Sequence, residues 1–141
     1  MANNVVTCPT CGTRNRVPAV ASGTPNCAQC KKPLPWITAA DDETFDAVAD
    51  SSKTTVLVDL WAPWCGPCRK VGPVLEQAAA EHAGRLKLVK VNVDNSPELA
   101  QRFEASSIPT MLMMRKGATV ARQVGAPSAA ALKTWVRNNL G

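Results

Sequence analysis

Six cysteines stand in three pairs, and every pair has the spacing Cys-x-x-Cys: Cys8 and Cys11, Cys27 and Cys30, Cys65 and Cys68. The third pair lies in Trp64-Cys65-Gly66-Pro67-Cys68, directly after an apolar stretch and directly before a helix-forming one. At such a junction the first sulfur meets the free N–H groups and the positive end of a helix, which lowers its pKa and makes it a thiolate nucleophile. The second lies one turn inward. Attack by Cys65 on a disulfide of another protein gives a mixed disulfide, and Cys68 then resolves it. Gly66-Pro67 keeps this turn tight and poor in donors, and that rigidity argues against metal binding by the pair.

The other four cysteines read differently. Cys8-Pro9-Thr10-Cys11 and Cys27-Ala28-Gln29-Cys30 enclose fifteen residues, inside the spacing of a tetrathiolate zinc site. Each pair can form a knuckle whose N–H groups point at the sulfurs, and Gly12 supplies the permissive backbone after the first. Lys31 takes the matching place after the second. Two disulfides are the alternative, and the compartment weighs against them. The N-terminus lacks the basic and apolar regions of a signal peptide, and no apolar run reaches membrane-span length, so a cytoplasmic, reducing location and no membrane contact are expected. Structural Zn²⁺ is therefore the expected cofactor. There is no Gly-x-Gly-x-x-Gly fingerprint, so no tightly bound organic cofactor is expected.

The formal charge of +5 invites a nucleic-acid reading, yet four thiolates holding one Zn²⁺ would lower it by two units. The basic residues are scattered, there is no Tyr, and the two Phe are far apart in sequence, so a nucleic-acid partner is not expected.

Two composition regimes meet near Pro33-Leu34-Pro35. Residues 1–35 hold paired cysteines and almost no apolar periodicity, so they read as a small zinc-ribbon domain stabilised by metal rather than by a core. Residues 36–141 read as an α/β domain. A helix over about Asp41–Asp50 is predicted, with Phe45, Val48 and Ala49 on its buried face. Thr54–Trp61 reads as a central strand in which Asp59 is the anomaly. A long helix from Cys65 to about Ala83 is interrupted by Pro73, with a kink expected just N-terminal to it, and Leu86–Val93 alternates as a strand with Lys87, Lys90 and Asn92 between apolar residues. Ser96-Pro97-Glu98 opens the next helix with Ser96 as its cap. Two strands flank Arg115-Lys116-Gly117 as a hairpin, and Pro127–Leu140 forms the last helix. The sum is a mixed sheet with helices on both faces.

The run Val58-Asp59-Leu60-Trp61-Ala62-Pro63-Trp64-Cys65-Gly66-Pro67-Cys68 resembles the active-site stretch of thioredoxins. The resemblance extends over Trp36–Gly141 through Pro73, Lys90, Ile108-Pro109 and Gly125. With the four remaining cysteines, the chain is similar to the bacterial thioredoxin-2 type, a zinc ribbon joined to a thioredoxin domain. The resemblance implies a thioredoxin fold and a protein-disulfide reductase recharged by an NADPH-dependent thioredoxin reductase. It would serve general thiol-redox homeostasis, act on disulfide-containing protein substrates and work as a monomer.

Residue by residue, the resemblance implies that Asp59 is a buried acid with raised pKa that accepts the Cys68 proton, with Lys90 beside it. A purely structural Asp59–Lys90 pair is the competing reading. Pro109 would follow a cis bond and leave the backbone at Ile108 free for strand-like substrate pairing, whereas an ordinary proline opening a strand fits the local sequence equally well. Trp64 with Pro67, Ile108 and Gly125 would form a flat apolar rim around Cys65, while Gly66 and Pro67 keep the turn between the cysteines tight. Trp61 reads equally as core, and Met111, Met113 and Met114 as core filler and strand surface. A zinc-dependent binding module, with an incidental dithiol, is the alternative function.

Overall fold

A computed structural model describes residues 4–21 and 23–141; residues 1–3 and Ser22, which fall inside the expected ribbon, lie outside the described residues. Two short strands, β1 (Asn4–Thr7) and β2 (Arg14–Val17), pair antiparallel in a small sheet. The second sheet holds β3 (Trp36–Ala39), β4 (Thr55–Trp61), β5 (Leu86–Asn92), β6 (Thr110–Arg115) and β7 (Ala118–Val124) in the order β3-β5-β4-β6-β7. The first three of that order run parallel, and β6 and β7 are antiparallel additions. Lys116 and Gly117 both take positive φ, 52° and 78°, the backbone that a two-residue hairpin turn requires. The helices are α1 (Gly66–Glu81), α2 (Pro97–Arg102) and α3 (Ala129–Asn138).

Strand alternation sorts the core into two layers. Val56, Val58 and Leu60 of β4 pack with Phe45, Val48, Leu99 and Phe103 on one face. Leu57 of β4 packs with Val71 and Leu75 of α1 and Leu132 and Val136 of α3 on the other. Asp59 follows the parity of Leu57, so its carboxylate enters the apolar layer beneath α1. All three methionines of β6 are buried, so none lies on a strand surface. Pro73 sits inside α1, which runs uninterrupted through it.

Three local expectations are corrected. The predicted helix over 41–50 is a turn followed by a π-helical segment, Asp46–Asp50. Its first turn is held by Asp41, whose Oδ1 accepts the N–H groups of Glu43 and Thr44. At its end Ser51 N–H reaches back five residues to the Asp46 carbonyl, and the Val48 carbonyl accepts from Lys87 Nζ at 2.6 Å. Phe45, Val48 and Ala49 are buried as predicted.

Ser96 does occupy the cap position of α2, but its Oγ is buried without a hydrogen-bond partner among the described residues and makes no capping bond. The carboxylate of Asp42 reaches across and accepts from Glu98 N–H and Leu99 N–H at 3.1 and 2.9 Å. A charged acceptor at a helix N-terminus outcompetes a hydroxyl there.

Lys87, read as a polar position alternating with apolar ones, is 1% exposed. Alternation misleads because β5 is flanked by β3 and β4 and covered on both faces. The Lys87 ammonium donates to the Ala19 and Val48 carbonyls, both at 2.6 Å, and lies 4.2 Å from the Trp36 ring centre. Trp36 in turn donates from Nε1 to the Pro18 carbonyl at 2.8 Å. These two side chains clasp the N-terminal segment onto the large sheet, and Trp36 also packs with Val6, Cys8, Val17, Cys27 and Leu34.

Candidate active site

β4 ends at Trp61, and Ala62-Pro63-Trp64 carries the chain to the start of α1, where Cys65 is the N-cap. The Cys65 Sγ accepts the Cys68 N–H at 3.2 Å, the environment that favours negative charge on this sulfur. Cys65 and Cys68 are joined in a disulfide with their Cα atoms 5.3 Å apart. The pair is shielded, Cys65 being 4% and Cys68 5% exposed. Pro67 stands in the first turn of α1, where its missing N–H costs no helical bond, and Gly66 has open space where a side chain would be.

A second segment meets this turn from the head of β6. The Ile108–Pro109 peptide bond is cis, the Ile108 carbonyl oxygen lies 3.8 Å from Cys65 Sγ, and Gly125 N–H donates to the Pro109 carbonyl at 2.9 Å. Trp64 stands beside the disulfide with 68% of its surface exposed. Its indole N–H is held by the Asp94 carboxylate at 3.1 and 3.2 Å. Asp94 has no sequence signal beyond being an acid just past the end of β5.

Behind the disulfide lies a cleft of about 260 Å³ lined by Asp59, Trp61, Cys68, Arg69, Glu76 and Lys90, among others. Asp59 is 1% exposed, and its Oδ1 has no hydrogen-bond partner among the described residues. Burial pushes its carboxyl up to about 6; the Lys90 charge opposes that rise and the Glu76 charge adds to it. Lys90 is the register partner of Asp59 across β4 and β5. Its ammonium nevertheless lies 3.9 Å from Glu76 Oε1 and 5.7 Å from the Trp61 ring centre, and no ion pair joins it to Asp59 among the described residues.

The other four cysteines converge. Their sulfurs all lie within 4.8 Å of one another, with Cys8 to Cys30 and Cys11 to Cys27 both at 3.6 Å. A tetrahedral zinc with Zn–S near 2.3 Å sets its sulfurs about 3.8 Å apart, so the cluster has the size of that ion's shell. The N–H groups of Gln29 and Cys30 and the Asn15 amide all point at Cys27 Sγ, at 3.4 to 3.5 Å. The Cys30 N–H is the main reason the Cys27 thiol is pushed down to about 6. The matching N–H of Cys11 lowers Cys8. Donors aimed at sulfur in this way favour thiolates, the form that binds metal. The residues fit a bound Zn²⁺.

A cis-proline segment facing a disulfide at a helix N-terminus, above a buried acid, defines a thiol–disulfide oxidoreductase. A family model described as Thioredoxin matches residues 36–138. A thioredoxin of Haemophilus influenzae is 41% identical over 100 residues, covering 71% of this chain and 94% of the relative. Thioredoxin M5, chloroplastic, of Oryza sativa is 40% identical over 108 residues, 77% of this chain, and the chain spans 63% of that relative's length. The bifunctional thioredoxin reductase/thioredoxin of Mycobacterium leprae is 50% identical over 91 residues, 64% of this chain and 20% of the relative. The chain belongs to the thioredoxin family, and its four clustered cysteines are consistent with the thioredoxin-2 type.

Proposed function

We propose that the chain is a protein-disulfide reductase of the cytoplasm, comprising a zinc ribbon over residues 1–35 and a thioredoxin domain over 36–141. The observation that carries this reading is the Cys65–Cys68 disulfide at the head of α1, with the cis Ile108–Pro109 segment on one side and Asp59 beneath.

In the reduced form the Cys65 thiolate attacks one sulfur of a substrate disulfide; a Cys65–substrate bond forms, and the other substrate sulfur leaves as a thiolate. Asp59, reaching the cleft that Cys68 also lines, takes the Cys68 proton directly or through water. The Cys68 thiolate then attacks Cys65 Sγ and expels the second substrate sulfur. Two electrons have passed to the substrate, and the Cys65–Cys68 disulfide remains. Lys90 sets the charge around Asp59. The Ile108 backbone pairs with an extended substrate segment, and Trp64, Gly66, Pro67 and Pro109 form the low rim it lies on.

Recharging needs two electrons from outside the chain. The Mycobacterium leprae relative, whose name joins a thioredoxin reductase to a thioredoxin, supports an NADPH-dependent thioredoxin reductase as their source. In the ribbon, Cys8, Cys11, Cys27 and Cys30 would hold Zn²⁺, which supplies folding free energy rather than chemistry. Among the described residues no helix is long and apolar enough to cross a membrane.

The test is insulin reduction driven by NADPH and a bacterial thioredoxin reductase, followed as NADPH oxidation. Wild type is expected to sustain turnover, and Cys65→Ser/Cys68→Ser to reduce it to the rate without the protein. Equal rates for the two would overturn the proposal.

A further inference from the structure

The cleft under Cys68 receives charged groups from three elements: Asp59 from β4, Lys90 from β5, and Arg69 and Glu76 from α1. β6 offers no charge there, since the register partner of Asp59 on that side is Met111. Asp59 and Lys90 are direct partners across a parallel pair and share a face, so a lysine side chain easily reaches the carboxylate. It does not do so. Its ammonium runs past Gly72, where an added Cβ would stand 4.0 Å from Nζ, and stops 3.9 Å from Glu76.

Gly72 and Glu76 are one helical turn apart and therefore on the same face of α1. A Cβ at Gly72 would stand in ordinary contact with the ammonium, so this face of α1 leaves the lysine room to extend along it, and the Glu76 carboxylate is the acid it meets there. Arg69 does not compete, because its guanidinium is turned to the Pro63 carbonyl at 2.8 Å. The outcome is a buried acid with no ion pair among the described residues, beside a cation that pairs with a different acid and acts on Asp59 only at longer range.

We infer that Glu76 is a positioning residue of the redox site: it draws the Lys90 ammonium away from Asp59 and so leaves Asp59 able to hold the proton exchanged with Cys68. The inference rests on the proposed role of Asp59 and names the residue that maintains it. With Glu76 neutralised, the ammonium is free to turn to Asp59, where an opposite charge at close range favours the carboxylate and weakens it as a proton acceptor. Glu76 and Lys90 are both partly exposed, so solvent screening limits the effect. A fall of about half to one pH unit in the Asp59 midpoint is expected, roughly three- to tenfold in proton affinity.

The experiment is carbon-13 NMR titration of the Asp59 carboxyl in the full-length, metal-loaded disulfide form, in which neither Cys65 nor Cys68 titrates. Wild type, Glu76→Gln, Glu76→Asp, Lys90→Gln and the double variant Glu76→Gln/Lys90→Gln are compared. Glu76→Gln is expected to lower the midpoint, Glu76→Asp to restore part of it, and the Glu76→Gln effect to shrink by more than half once Lys90 is gone. An unchanged midpoint in Glu76→Gln would overturn the inference, as would an undiminished shift without Lys90, because Glu76 would then act by its own charge alone. A wild-type midpoint in the ordinary aspartate range would instead defeat the proton-carrier reading of Asp59.

Discussion

Replacing Asp59 with Asn tests whether the buried acid has the energetic cost its surroundings imply. Asp59 titrates at about 6 when folded against 3.8 when exposed, so between those pH values the folded state binds more protons than the unfolded one. Stability attributable to this residue is fully present below pH 3.8 and is lost as pH rises through 6. A shift of about two units corresponds to about 3 kcal/mol at 1.36 kcal/mol per unit. Since the residue is only 1% exposed, solvent screening does not reduce that figure much.

An amide of the same shape carries no such penalty. Asp59→Asn should therefore be more stable than wild type at pH 8 by up to about 3 kcal/mol, or about 10 °C in Tm for a domain of this size. The advantage should shrink toward a small constant near pH 4. The assay is chemical denaturation of both oxidised proteins at several pH values, taking the difference at each. If the four cysteines of the ribbon hold zinc as proposed, its loss in acid would weaken both proteins alike and cancel in that difference. A difference that does not vary between pH 4 and 8 would refute the reasoning, because no buried acid would then be changing its charge.

Protein purified without chelator is expected to carry one zinc per chain by elemental analysis, and Cys8→Ser/Cys27→Ser none; wild type without zinc, or with disulfides in the ribbon, would count against the tetrathiolate site. Lys87→Met should strand the Ala19 and Val48 carbonyls, at about 1–3 kcal/mol for each buried acceptor left unpaired, offset by removing an ammonium that burial already pushes down to about 8. The opposing terms nearly cancel, so Tm should move little while amide exchange over residues 14–21 speeds up; unchanged protection there would show that the lysine does not hold the ribbon.

What the sequence made legible was local or motif-borne. The Cys65–Cys68 turn, the Lys116-Gly117 hairpin and the continuous apolar β4 each rest on residues adjacent in the chain, so spacing alone reveals them. The cis bond before Pro109 was carried by family resemblance, since a trans proline opening a strand suits the same residues. What escaped was contact between distant segments. Asp42 replaces Ser96 as a cap because packing brings the 41–44 turn to the head of α2. Lys87 follows the alternation of a half-exposed strand, and only the placement of β5 between two neighbours buries it. Lys90 was expected beside Asp59, and register does place it there; its ammonium pairs instead with Glu76, a contact between β5 and α1 that no local motif announces.

The clasp formed by Lys87 and Trp36 changes what it means to divide this molecule. A fragment beginning at Trp36 would seem a clean subtraction, yet it removes the Pro18 and Ala19 carbonyls that receive both side chains. The lysine would be hydrated and the indole uncovered, so the remainder would be a protein with a newly wetted sheet face. Any change in its activity would mix loss of the ribbon with relaxation of that face. A truncation that also replaces Lys87 with Thr isolates the lysine's share of that relaxation, because its sheet no longer carries a cation that needs a roof.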